Sequence, residues 1–266
     1  MNASIKSLLK RIPPVAWLLR ARRRAMRWRQ FGREFRELQA QATERARFPM
    51  QWDDRLPCLD DNKGYTDFDW HYVFHTAWAA RLLAANPPAR HVDIASSLYF
   101  VSIASAFVPV DFYDYRPVSL QLNGLTSRHA DLLALPFADR SLPSLSCMHV
   151  VEHIGLGRYG EPIDVDGDLK AIAELRRVLA PGGSLFFVVP IGQPRIQFNA
   201  HRVYSYQQIV ESFPDLELVE FSIQPDFPRC ELVRNAPPAL ADEQRYACGC
   251  FHFVRPSQLP GSRAFA

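Results

Sequence analysis

The chain has 266 residues, of which 48% are hydrophobic and 22% charged, with a formal net charge of +3. That length can bury a sizeable core in one α/β domain with an appendage, and it disfavours two large domains. No run of about 18 apolar residues occurs, nor a signal-peptide core followed by a small-residue cleavage site, so membrane spanning and secretion are both disfavoured.

Charge is unevenly spread. Residues 1–47 hold 13 Lys and Arg against Glu34, Glu37 and Glu44, a local balance of +10, and the remaining residues carry −7. The segment reads as one or two helices broken around Pro13-Pro14, with Trp17, Leu18, Leu19, Met26, Trp28, Phe31 and Phe35 among the arginines. A basic helix with tryptophans suits an anionic membrane surface, while a helix packed on the domain or on another subunit is the plainer alternative. Nothing that reads bases accompanies the charge, so nucleic acid is not expected as a partner. A cytoplasmic protein is expected, with peripheral attachment to the inner face of the membrane as an option.

Residues 48–87 contain the acidic pair Asp60-Asp61 and a helix from about Phe68 to Ala85, closed by Pro87-Pro88. They read as a lid or entry segment. The domain proper is expected over 88–256, with 257–266 as a tail. Its first strand is His91 to Ala95, followed by a Ser96-Ser97 turn and a helix reaching Ala106. Further strands are expected from about Pro109 to Tyr115, near Thr126 to Ala130, and from Leu142 to Val151. Between residues 169 and 179, Leu169, Ile172, Ala173, Leu175, Val178 and Leu179 recur at helical spacing, with Lys170, Glu174, Arg176 and Arg177 opposite. Pro181-Gly182-Gly183 is expected to end that helix, releasing the chain into the buried strand Leu185 to Val189. Glu217 to Gln224 and Ala247 to Val254 complete seven strands. The expected fold is a doubly wound, mostly parallel α/β sheet with its last two strands as an antiparallel edge, preceded by an N-terminal helical extension.

The segments Ala130-Asp131-Leu132-Leu133-Ala134-Leu135-Pro136-Phe137 and Arg177-Val178-Leu179-Ala180-Pro181-Gly182-Gly183 resemble the middle and late motifs of the class I S-adenosylmethionine-dependent methyltransferases. Glu152-His153-Ile154-Gly155-Leu156-Gly157-Arg158-Tyr159-Gly160 and Phe198-Asn199-Ala200-His201-Arg202 resemble a branch of that superfamily known as a domain of unknown function, DUF268. The resemblance spans roughly residues 88–225 and implies a Rossmann-like fold with S-adenosylmethionine as cofactor.

It also implies where the cofactor lies, through Asp93, Ala95, Ser96 and Ser97 in the turn after the first strand, Asp114 on the ribose hydroxyls, and Asp131 with Leu132 on the adenine edge. The family usually has glycines in that turn. Here Ala95, Ser96 and Ser97 stand in their place, and neither residue type takes positive φ as readily. His149, His153 and His201 are the candidate bases for deprotonating a methyl acceptor. Glu152, Arg158, Asn199 and Arg202 are the candidate acceptor contacts, and the acceptor is read as oxygen of a carbohydrate or a lipid-linked glycan precursor.

Glu152 with two histidines could hold a divalent metal, but adjacent residues at a helix start point apart, and no metal is expected. The five cysteines form no CxxC pair and have no nearby histidine at zinc-ligand spacing, so they read as reduced, partly buried thiols. The contrasting function is a catalytically silent member of the fold that binds a ligand or partner. A nicotinamide-dependent dehydrogenase would need a glycine fingerprint that is missing here.

Overall fold

A computed structural model of the protein describes residues 13–41 and 48–257. These divide into two compact units, one up to Asp67 and one from Phe68 onward. The first holds helix α1 (Pro13–Gln41), which carries eight arginines. Within that unit Phe31 and Phe35 lie with ring centroids 5.9 and 5.0 Å from that of Trp52, and Arg27 pairs with Asp60. Residues 1–12 and 258–266 lie outside the described residues, and with them the expected helix before Pro13 and nearly all of the expected tail.

The second unit is built on a seven-stranded sheet. Its strands are β1 (His91–Ile94), β2 (Val110–Asp114), β3 (Leu125–His129), β4 (Leu142–Met148), β5 (Leu179–Ile191), β8 (Glu217–Gln224) and β9 (Ala247–Val254), in the order β3-β2-β1-β4-β5-β9-β8. The hairpin of β6 (Arg195–Gln197) and β7 (His201–Val203) stands apart from it. Strands β3, β2, β1, β4 and β5 pair in parallel, and β9 runs antiparallel to both neighbours. The final strand thus inserts between β5 and β8, and the expected antiparallel edge contains one reversed strand. The beginning of β9 consequently lies at the same end of the sheet as the carboxyl ends of the others.

Period-two alternation sorts the strand residues onto two faces. Leu185, Phe187 and Val189 of β5 join Leu145, Cys147, Phe251 and Phe253 in a core covered by α4 (Gly167–Val178), through Ala171, Ile172, Leu175 and Val178, and by Ile209 of α5 (Tyr206–Ser212). Phe186 and Val188 join Met148, Cys248 and Cys250 on the opposite face. There they pack with Trp78, Ala79 and Leu83 of α2 (Trp70–Ala85) and with Phe100, Val101 and Ala104 of α3 (Leu98–Ala104). A short α6 (Pro238–Asp242) is the last α-helix among the described residues.

Helix α2 starts where Asp69 accepts the Tyr72 amide at 3.1 Å, and its indole Trp78 donates to the buried Glu220 of β8 at 2.8 Å. It is therefore a layer of the second unit, packed on the sheet. The reason is the apolar spacing of Trp78, Ala79 and Leu83, which leaves it a face that only the sheet can bury.

The segment Pro181-Gly182-Gly183 differs from expectation. Helix α4 ends at Val178, Leu179 is already extended, and the three residues lie inside β5. Leu142 pairs with Leu179 and Ser144 with Ser184, so the stretch between forms a bulge against β4. Gly182 takes φ +74°, and a Cβ on Gly183 would come within 2.9 Å of two backbone oxygens. Glycines serve a strand bulge here, as they commonly do.

Candidate functional site

A cavity of about 1060 Å³ opens at the carboxyl ends of the parallel strands, lined by Ile94 at the end of β1 and Ala95 after it, Asp114 at the end of β2, Asp131 and Leu132 after β3, and His149, Glu152 and His153 after β4. Its far wall is Asp69, Trp70, His71 and Tyr72 at the start of α2, with Arg158, Tyr159, His201, Phe227 and Tyr246. Open α/β sheets bind ligands at this end, where strand order reverses. In this sheet the reversal falls between β1 and β4.

The turn after β1 is built from its own side chains. Asp93 is fully buried and accepts the Ser96 amide at 3.0 Å and the Ser146 hydroxyl, while Ser96 Oγ accepts the Met148 amide at 3.0 Å. Ala95 takes φ +55° and presents itself to the cavity. An alanine has therefore adopted the left-handed backbone that glycine would take freely, at a cost of roughly 1–2 kcal/mol. Asp93, Ser96 and Ser97 do not line the cavity; the side chains of Asp93 and Ser96 hold the backbone instead, and Ser97 stands at the N-cap of α3 without a side-chain cap. A residue facing inward from β1 is covered by the helical layer and cannot also reach the open strand end.

Asp114 and Asp131 do line it. Each also orders its own turn, with Asp114 Oδ1 accepting the Arg116 amide at 2.7 Å and Asp131 Oδ1 accepting the Leu133 amide at 2.8 Å. Leu132 lies between them as a buried apolar wall.

On the other side His149 is buried with φ +57°. Its Nδ1 donates to Glu152 Oε1 at 2.8 Å, and its Nε2 lies 3.4 Å from Cys248 Sγ. His71 and Tyr72 stack on its ring, with centroids at 5.2 and 5.6 Å, and His75 meets it edge-on at 5.0 Å. Burial pushes the His149 imidazole down to about 3 and His71 down to about 4, so both rings are neutral at physiological pH. Burial pushes the Glu152 carboxyl up to about 7, and its second oxygen has no partner. Glu152 thus lines the cavity with one oxygen on His149 and the other unpaired.

His153 donates Nδ1–H to the Ala200 carbonyl at 2.6 Å, which leaves Nε2 as its lone-pair nitrogen, 3.8 Å from Glu152 Oε1. The Arg158 guanidinium sits 3.1 Å from the same ring and 3.2 Å from the Ala200 carbonyl. His201 stacks on Tyr246 at 5.0 Å, with its Nε2 buried and unpartnered, and burial lowers its pKa.

Asn199 and Arg202 are off the cavity. Asn199 is exposed at φ +62°, at the tip of the β6–β7 hairpin. Arg202 is buried and donates to the carbonyls of Ile154, Asp164 and Val165 at 2.7, 3.3 and 3.2 Å, with Asp168 at 3.5 Å. It pins the glycine-rich loop, whose Gly155 at φ +79° leaves no room for a Cβ beneath Asp164 O. Sequence reasoning missed His71, Tyr72, Cys248 and Tyr246. The histidines 71 and 75, one helical turn apart, were the available signal for the first. For Cys248, 99 residues from His149, there was none.

The sheet order and its helical layers define a Rossmann-like methyltransferase fold. The structure resembles that of the [4+2]-cyclase SpnF with a TM-score of 0.51 at 13% identity, over 74% of this chain and 86% of that one, which shows a shared fold. Two further likenesses are to a Haloferax volcanii putative methyltransferase in complex with the activator Trm112 (TM-score 0.48, 19% identity, 70% and 90% coverage) and to the N-methyltransferase NodS of Bradyrhizobium japonicum WM9 with S-adenosyl-L-homocysteine (0.47, 16%, 71% and 89%). More narrowly, the model of the DUF268 family, described as a Caenorhabditis protein of unknown function, matches residues 139–225. No curated protein matches the sequence.

Proposed function

We propose that the chain is an S-adenosylmethionine-dependent methyltransferase acting on a hydroxyl oxygen of a carbohydrate or lipid-linked glycan precursor. The observation that carries this is one cavity with two chemically different walls, the carboxylates Asp114 and Asp131 flanking Leu132 on one side and the His149–Glu152–His153 cluster on the other. The cofactor, when bound, would supply an electrophilic methyl group to the acceptor oxygen. Asp114 would hold its ribose hydroxyls and Leu132 would pack on its base, beside the backbone of Ala95. The Nε2 lone pair of His153 takes the acceptor's proton, and Glu152 at 3.8 Å stabilises the imidazolium that forms. Trp70, Tyr72 and Tyr159 line the same cavity and add aromatic surface against which a sugar can pack.

Ala95 favours the second reading, a silent member of the fold, because its Cβ stands where the family's glycine has none. Calorimetric titration with S-adenosylmethionine and S-adenosylhomocysteine decides between them. Micromolar binding that is lost in Asp114→Ala and Asp131→Ala supports the first, and no heat at millimolar ligand supports the second. His153→Gln should keep cofactor binding and lose methyl transfer.

The proposed membrane attachment rests on α1, where Trp17, Leu18, Met26, Trp28 and Leu38 are exposed among arginines. No helix among the described residues is long and apolar enough to cross a membrane. Co-sedimentation with anionic vesicles should be lost when residues 1–47 are removed; equal sedimentation of both forms would refute the attachment.

A further inference from the structure

His71 from α2, His149 from the end of β4 and Cys248 from β9 each present one donor atom, and the three atoms lie within 4.8 Å of one another. Around a tetrahedral ion with bonds of about 2.0 Å to nitrogen and 2.3 Å to sulfur, such ligands stand about 3.6 Å apart. Nε2 of His149 and Sγ of Cys248 are 3.4 Å apart, so that edge of a tetrahedron is already formed.

The surroundings have the organisation of a metal site. Glu152 accepts Nδ1–H of His149 at 2.8 Å, which fixes the tautomer and turns the Nε2 lone pair toward Cys248. Metal-bound histidines recurrently carry a carboxylate in this position. His75, one turn after His71, spends its Nδ1–H on the His71 carbonyl at 2.7 Å and is left with a fully buried Nε2 that has no partner. Its ring lies 5.0 Å from that of His149. A buried acceptor of this kind normally has a donor, so a polar group beside the His149 ring is left unsatisfied. His149 is also held at φ +57°, a conformation uncommon outside glycine that clusters at ligand sites.

We infer that His71, His149 and Cys248 bind a single zinc ion, with the fourth coordination position open to the cavity. Two imidazoles and a thiolate select a borderline-soft cation of this type. His71 and His149 both line the cavity, so the open position faces the ligand space. The class of ligand that position takes is an oxygen or sulfur donor. That this donor is the methyl acceptor rests on the proposed methyl transfer, whereas zinc binding itself does not.

Without an ion, the same contact is an S–H···N hydrogen bond between Cys248 and His149, and metal content separates the two. The full chain, freed of any affinity tag and dialysed against zinc and then against metal-free buffer, should retain one equivalent by elemental analysis. Substituted with Co²⁺ it should show thiolate charge-transfer and tetrahedral d–d bands. Cys248→Ser keeps a hydrogen-bonding side chain, and His71→Ala changes a half-buried helix position; both should fold with the native circular dichroism and lose the bands. Glu152→Gln should weaken affinity about 10–100-fold. Replacing the exposed Cys58 and Cys230 by serine should change nothing. Less than half an equivalent in the wild type, or equal retention by folded Cys248→Ser and His71→Ala proteins, would overturn the site. Because elemental analysis is indifferent to S-adenosylmethionine, this result and the cofactor titration can fail independently.

Discussion

Replacing Asp93 by asparagine should make the protein more stable at neutral pH, by a margin that vanishes toward pH 4. Asp93 has no exposed surface, and burial pushes its carboxyl up to about 6, with the charge of Asp114 adding to the effect and hydrogen bonds from Ser96 and Ser146 opposing it. In an unfolded chain an aspartate titrates near 3.9. Between about pH 4 and pH 6 the folded protein therefore keeps a proton that the unfolded chain has lost, and stability falls as pH rises through that window. Two powers of ten in proton affinity amount to about 3 kcal/mol, the full loss by pH 7.5 relative to pH 4.

Asparagine removes the charge and keeps the geometry. Its carbonyl can accept the Ser96 amide, and its amide can donate to Ser146 Oγ. Ser146 then donates to His91 Nε2, 2.8 Å away, and His91 Nδ1–H donates to Ser144 Oγ at 2.7 Å. His91 stays neutral through this range because burial lowers it to about 3. Urea unfolding of both proteins at pH 4, 5, 6 and 7.5 should give equal midpoints at pH 4 and a gain for Asp93→Asn that grows toward about 3 kcal/mol at pH 7.5, with unchanged slopes. Groups that titrate in both proteins cancel in the difference. A difference that does not vary with pH, or an asparagine variant weaker at pH 7.5, would refute the buried-charge account. Binding of S-adenosylhomocysteine should survive, because Asp93 holds the turn without lining the cavity.

Arg202→Ala should destabilise the protein by about 3–5 kcal/mol, since it removes the cation beside buried Asp168, which keeps only the Tyr204 hydroxyl, and takes the side-chain donor from the carbonyls of Ile154 and Val165; a chemical melt within 1 kcal/mol of wild type would show that the loop is held otherwise. Leu175→Ala, in the fully buried face of α4, should cost about 2–5 kcal/mol, read by the same melt; a smaller cost would mean that the α4–sheet layer repacks. Ala95→Gly relieves roughly 1–2 kcal/mol of left-handed strain against about 0.4–1 kcal/mol of added freedom in the unfolded chain. Its stability should therefore be unchanged or rise by up to about 1.6 kcal/mol, and cofactor affinity should rise; weaker binding by calorimetry would mean that the Ala95 methyl is itself a contact.

Much of the architecture was readable along the chain because it depends on local patterns. The strand Ser184 to Val189 alternates between two buried faces, residues 169–179 repeat at helical spacing, and the strands Glu217–Gln224 and Ala247–Val254 fall where expected. Asp114, Asp131, His149 and His153 could be placed at strand ends because topology alone puts those ends beside the ligand space. The Pro-Gly-Gly stretch was ambiguous, since helix exits and strand bulges ask for the same residues, and only pairing with Leu142 and Ser144 decided between them.

What the tertiary structure decided is which side chains meet. Ser144 and Ser146 interrupt an apolar strand for no local reason and become intelligible only when parallel pairing sets His91 and Asp93 beside them. Arg202 and Asn199, alike as loop residues in sequence, separate into a buried clamp and an exposed hairpin tip. Cys248 reaches His149 and His71 because the last strand reverses and inserts between β5 and β8, bringing its first residues to the carboxyl end of the sheet. Sequence periodicity reports the environment on either face of an element; convergence of donors from three distant elements depends on strand order and direction, which no local pattern encodes.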